Sequence, residues 1–138
     1  MRFLNQQKPR GLDPAGFGYY GAKRGTRKHK GFDLLADPDE LVFCPIAGQI
    51  TKIGWPYQRS KELRYIEIAN DVYRVRIMYI KPDTAVGINM RIFPGEQLGK
   101  AQNVAGYWGG NMMNHIHVEI YKNGLLTDPE PLISDLIK

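Results

Sequence analysis

One cysteine, Cys44, stands in a chain of 138 residues, so no disulfide can close within it and no thiolate cluster can hold a metal. Set in Val42-Phe43-Cys44-Pro45, that thiol is expected to behave as a small buried hydrophobe. Long apolar runs are missing as well. No stretch approaches the length of a membrane-spanning helix, and Met1-Arg2-Phe3-Leu4-Asn5-Gln6 lacks the apolar segment of a secretory signal. Several catalytic signatures are absent. There is no H-E-x-x-H, no G-x-S-x-G and no paired Cys/His nucleophile. Gly95-Glu96-Gln97-Leu98-Gly99-Lys100 has one residue too few between its glycines for a phosphate loop, and Ala101 follows where Ser or Thr is needed.

What remains is an ordinary globular composition, 43% hydrophobic and 24% charged, long enough for one domain with a real core. Fifteen glycines and nine prolines imply many turns and a β-rich fold. The net charge of +5 describes a solvated basic surface, or one that attracts an anionic partner such as cell-wall polymer, nucleic acid or lipid. No aromatic-interleaved basic helix or RNA-binding signature favours nucleic acid. Residues 1–16 have little periodicity and read as an N-terminal arm; residues 17–138 read as one domain. Strands are expected over Leu41–Cys44, Gly48–Gly54, Leu63–Ala69 and Val72–Ile80, with a turn at Asn70-Asp71. Gly106–Asn114 reads as a loop, and Pro131–Ile137 as a short C-terminal helix. Asp37, Asp39 and Glu40 read as a solvated acidic turn.

The three histidines of the chain all fall in two short motifs, His29-Lys30-Gly31-Phe32-Asp33 and His115-Ile116-His117-Val118-Glu119. The second alternates polar with apolar residues, as a half-buried strand does. His115, His117 and Glu119 then share one face, with Ile116, Val118 and Ile120 on the other. Imidazoles and carboxylates are zinc ligands, and three protein ligands with a water make up the usual catalytic zinc site. The two motifs are therefore expected to meet around one zinc ion, with Gly31 letting the backbone bend between His29 and Asp33. Either histidine of the second motif could ligate while its neighbour stays near the bound water.

In this order and context the motifs resemble those of the LytM/lysostaphin-type zinc metallopeptidases. Cys44-Pro45-Ile46-Ala47-Gly48-Gln49-Ile50 and Gly95-Glu96-Gln97-Leu98-Gly99 extend the likeness, which covers about residues 18 to 130. It implies a mainly β fold, antiparallel sheets of the LytM type (a duplicated hybrid motif), with a zinc-floored groove. It further implies His29, Asp33 and His117 as zinc ligands, His115 as a catalytic residue, and hydrolysis of peptide cross-links in bacterial peptidoglycan. The partner would be a peptidoglycan peptide or another cell-wall polymer. The site of action would be extracellular, periplasmic or virion-associated.

A closer resemblance is to the leukocyte cell-derived chemotaxin branch, through Tyr20 to Asp33, Pro56-Tyr57, Met78 to Pro82 and His115 to Glu119. Vertebrate members of that branch bind zinc without peptidase activity, which implies an alternative: a non-catalytic zinc module that binds a glycan or protein partner. This chain departs from them in having one cysteine. It also departs from active peptidases. Their further histidine, in a Y-x-H-L segment, is matched in Ile77-Met78-Tyr79-Ile80 by Tyr79, or by Lys81 if the match slips by two residues. A phenol in that place could donate a hydrogen bond to an oxyanion. Arg24 and Arg27 are candidates to clamp a carboxylate, although solvated loop arginines are commoner. Tyr19, Tyr20, Tyr107 and Trp108 could wall the groove. Glu119 could orient an imidazole, although a structural carboxylate is the commoner role.

Overall fold

Alternating strands dominate the computed structural model, which describes residues 1–13, 16–24, 27–109 and 111–137; the side chains of Arg24 and Arg27 lie outside that description. The elements in order are β1 (Leu12–Asp13), β2 (Gly16–Phe17), β3 (Lys23–Arg24), β4 (Arg27–Lys28), β5 (Phe32–Leu35), β6 (Leu41–Phe43) and β7 (Gly48–Gly54). Then come β8 (Tyr65–Ala69), β9 (Tyr73–Met78), β10 (Ile80–Pro82), β11 (Arg91–Ile92), β12 (Gln97–Ala101), α1 (Val104–Trp108), β13 (His115–Lys122), β14 (Leu125–Thr127) and a 3-10 turn at Glu130–Leu132. All the strand pairings among the described residues are antiparallel. The larger sheet runs β11-β7-β8-β9-β13-β14, with β5 also on β13; a second sheet runs β10-β12-β6.

β13 is central to the larger sheet. One edge pairs with β9, from His117 opposite Met78 to Lys122 opposite Tyr73. The other edge is shared by β5, through His115 opposite Leu35 to Val118 opposite Phe32, and by β14. Ile116, Val118 and Ile120 are fully buried and join Val75, Ile77, Ile66, Ile68 and Ile50 in one core against Val42, Ile80 and Leu98 of the second sheet. Each such side chain contributes roughly 1.5–3 kcal/mol on burial. A slip of one residue would drive the histidines into that core, so the hydrophobic side of β13 fixes the register of its polar side. The strand is buried on both faces rather than half-buried, because loops cover the histidine face as well.

The turn Asn70 to Val72 closes β8 onto β9, the Asn70 side chain accepting from the amides of Val72 and Tyr73. Cys44 is buried, as its apolar setting implied. Two local expectations fail. Residues 104–108 form a helix instead of a loop, because the Asn103 side chain caps it by accepting from the Gly106 amide and Asn114 accepts from that of Ala105. The C-terminal helix over Pro131–Ile137 does not form beyond the 3-10 turn. Its amides are taken by the chain's beginning: Ser134 N–H donates to Met1 O and Ile137 N–H to Gln7 O. The beginning is itself anchored, with Phe3 and Leu4 fully buried in the core and Phe43 N–H donating to Phe3 O. No helix among the described residues is long and apolar enough to cross a membrane.

Candidate metal centre

Strand pairing brings the two histidine motifs together. His117 lies opposite Asp33 in the β5–β13 ladder, and their side chains meet on the polar face. His29 reaches the same point from the segment after β4. That segment is held by two backbone bonds, Gly21 N–H to His29 O and His29 N–H to Ala22 O. Close approach needs Gly31. Its φ is not left-handed, so it serves space and not a bend. A Cβ there would fall on the carbonyl oxygen of Val118 and 2.7 Å from His117 Cε1. Gly31→Ala is therefore expected to cost roughly 1–3 kcal/mol, the usual range for overpacking, and to displace the His117 ring. Denaturant titration with metal analysis checks this; an unshifted midpoint with full metal content would refute it.

The proton positions follow from the outer partners. His29 Nδ1–H donates to Tyr19 O at 2.9 Å, which leaves its Nε2 with a lone pair. His117 Nε2–H donates to Glu119 Oε2 at 2.8 Å, which leaves its Nδ1 with a lone pair. Those two nitrogens are 2.9 Å apart. Asp33 Oδ1 lies 2.9 Å from His117 Nδ1 and 3.3 Å from His29 Nε2. Three electron-pair donors thus converge with no hydrogen of their own to share. Donors around a tetrahedral zinc at about 2.0–2.1 Å would be separated by roughly 3.3 Å. His29, Asp33 and His117 fit a divalent cation on both counts, and all three are buried.

Without a cation, a proton fills the gap. Burial opposes charge on His117, but its hydrogen bonds to Asp33 and Glu119 outweigh that and push its pKa up to about 9. Burial likewise opposes ionisation of Asp33, yet the His117 and His29 contacts hold its carboxyl well below the usual range. Glu119 is lowered in the same manner, burial being outweighed by the His117 hydrogen bond. It is the partner that orients His117, the less common of the two roles its position allowed.

His115 points into the same cleft beside the cluster. Its Nδ1–H donates to Met113 O at 2.7 Å, so its lone pair sits on Nε2, 3.6 Å from Asp33 Oδ2. Burial pulls its pKa below the ordinary value, partly countered by Asp33, and keeps the imidazole neutral. Tyr79 stands edge-on to His115 with ring centroids 5.6 Å apart. Its hydroxyl is 2.7 Å from that of Tyr57, and burial, then Tyr57, raises its pKa well above the phenol range, so it carries its proton. Alternation along β9 would have sent Tyr79 to the core with Val75 and Ile77. A left-handed backbone, φ 70°, turns it into the cleft instead. Lys81 is exposed and pairs opposite Lys100 in the second sheet, away from the cleft.

The cleft holds about 490 Å³ and is walled by Pro56, Tyr57, Trp108 and Met112, with Lys28 and Lys30 beside His29. Trp108 thus lines it. Tyr107 packs on Trp108 from outside, and the Tyr19 ring packs on Phe32. The proposed Arg24 and Arg27 clamp lies outside the described side chains. Among the cleft residues not singled out from sequence are Tyr57 and Arg10. Tyr57 appeared there only as part of a matching stretch. Arg10 sits in a segment without periodicity, yet it is buried and donates from Nη1 to Asp33 Oδ2 at 2.9 Å.

Antiparallel β sheets arranged in this way are the fold of LytM/lysostaphin-type peptidases, and this chain has that fold. No family profile matches the chain. Among solved structures, the catalytic domain of lysostaphin from Staphylococcus simulans superposes with a TM-score of 0.64 at 20% identity, over 85% of this chain and 89% of that one. A zinc-containing peptidase from Vibrio cholerae superposes at 0.58 and 19% identity, over 91% of this chain and 38% of that one. At such identities the likeness is one of fold. Among curated proteins, Myeloid protein 1 of Gallus gallus is 31% identical over 114 residues, 80% of this chain. The chain spans about a third of that protein's length, 34%. The resemblance drawn from the motifs is thereby borne out, on both its peptidase and its chemotaxin-like side.

Proposed function

We propose that this domain is a zinc metalloendopeptidase-like hydrolase of peptide cross-links in bacterial peptidoglycan. The observation that carries the reading is the convergence of three electron-pair donors beside a neutral His115 at the bottom of an open cleft. His29 Nε2, Asp33 Oδ1 and His117 Nδ1 would hold the ion. Bound there, zinc supplies a lowered water pKa and polarises the scissile carbonyl. His115 Nε2 takes the proton of the attacking water and returns it to the leaving amine, its ring fixed by Met113 O. The Tyr79 hydroxyl, backed by Tyr57, donates to the developing oxyanion. Tyr57, Trp108 and Met112 offer apolar surface along the cleft wall to a bound peptide.

One observation favours a second reading, a non-catalytic zinc module for a glycan or protein partner. In the resemblance to active peptidases Tyr79, or Lys81 two residues on, takes the place of a histidine, and of the two Tyr79 lines the cleft. Digestion of purified peptidoglycan with and without chelator separates the two: weak, chelator-sensitive release of peptide products is expected, and no release at all leaves the binding module. Tyr79→Phe removes one hydroxyl and little volume, so turnover is expected to fall roughly 10²- to 10³-fold with zinc content unchanged. Tyr79→His is expected to hold or raise turnover. Equal rates for wild type and Tyr79→Phe would take Tyr79 out of the mechanism.

A further inference from the structure

Arg10 and Asp13 form a buried ion pair whose reach exceeds the needs of packing. Arg10 Nε and Nη2 donate side by side to Asp13 Oδ2 and Oδ1, at 2.7 and 2.8 Å. The remaining arm, Nη1, donates to Asp33 Oδ2. Asp13 in turn accepts the Met113 amide at 2.9 Å through Oδ2, and the carbonyl of Met113 is the acceptor that holds His115 Nδ1–H. A single path of short contacts therefore joins Asp33 to His115: Asp33, Arg10, Asp13, then the two ends of Met113.

We propose that Arg10 and Asp13 are a positioning pair that sets the metal-binding carboxylate and the cleft imidazole together. This rests on the metal reading of His29, Asp33 and His117. Arg10 occupies Asp33 Oδ2, which leaves Oδ1 as the oxygen facing His29 and His117 and commits Asp33 to ligation through one oxygen. Asp13 fixes the plane of the guanidinium, because both of its oxygens are engaged by the fork. By holding the Met113 amide, Asp13 also restrains the residue whose carbonyl accepts from His115 Nδ1–H, and so bears on the His115 tautomer. Lysine cannot reproduce this arrangement, since an ammonium offers no planar fork.

Outer partners of metal ligands typically contribute 10- to 100-fold to metal affinity. Arg10→Lys is thus expected to weaken zinc affinity by about 10- to 100-fold, measured by competition with a chromophoric chelator. Asp13→Asn is expected to give His115 a mixture of tautomers in the ¹⁵N spectrum of the metal-free protein, where Nδ1–H alone is expected for wild type. A pair that serves folding only would lower the melting temperature while leaving zinc affinity within twofold and the tautomer unmoved, and that result overturns the proposal. Should both variants fail to fold, the wild-type Arg10 Nε–H signal decides: slow exchange and a shift on adding zinc are expected, and rapid exchange overturns it. A wild type that takes up no zinc defeats the metal reading instead, and the metal-free His115 tautomer still tests the pair.

Discussion

His117→Ala is expected to leave the purified domain without stoichiometric zinc. His117 supplies the donor that lies 2.9 Å from both of the others, so its loss opens the centre of the cluster and not its edge. Two ligands, His29 and Asp33, remain, and two-point binding falls short of the three protein ligands of a catalytic zinc site. The variant also deprives buried Glu119 of its imidazole partner. Breaking one side of a buried ionic pair costs about 3–5 kcal/mol, so a melting curve must accompany the metal analysis. Wild type should carry near one zinc per chain. A folded His117→Ala protein with full zinc occupancy would defeat the ligand assignment.

The second large effect belongs to the neighbouring histidine. His115→Gln is expected to lower peptidoglycan turnover by roughly 10²- to 10⁴-fold, the usual contribution of a general base, with zinc content unchanged. Glutamine keeps a side chain of similar reach but cannot take up a proton at neutral pH. The same variant tests whether the site is closed. If His115 Nε2 were a fourth ligand, closing the site, the substitution would reduce zinc affinity in a chelator competition. Unchanged zinc with unchanged turnover would remove His115 from the reaction altogether.

These two residues were legible because the physics that places them is local. Alternation along β13 decides which residues face the cleft, and the isoleucines on its other side decide the register. Pairing of β5 with β13 then does what no spacing rule can show, bringing Asp33 opposite His117 across 84 positions. For Tyr79 alternation alone would point to the side of Val75 and Ile77, and only the resemblance pointed to the cleft that it lines. The rule holds only while φ stays in the extended range, and here one residue between β9 and β10 leaves it. Arg10 was illegible for a different reason. Its partners are 3 and 23 positions away, and nothing in an aperiodic segment marks a charged side chain as buried. The Val104–Trp108 helix was hidden by its aromatics and glycine, residues of low helix propensity overruled by the Asn103 cap.

Asp33 and His117 sit on adjacent strands while His29 follows a separate strand pair, so the three donors are held by different backbone bonds. Amides of β13, bonded on both edges, exchange with solvent only in large openings of the sheet. His29 is tied by two backbone bonds to residues 21 and 22 and by its ring to Tyr19 O, outside the sheet. If the site holds an ion, its off-rate is expected to follow the exchange of the Gly21 and His29 amides and not that of β13, measured together on the zinc-loaded domain.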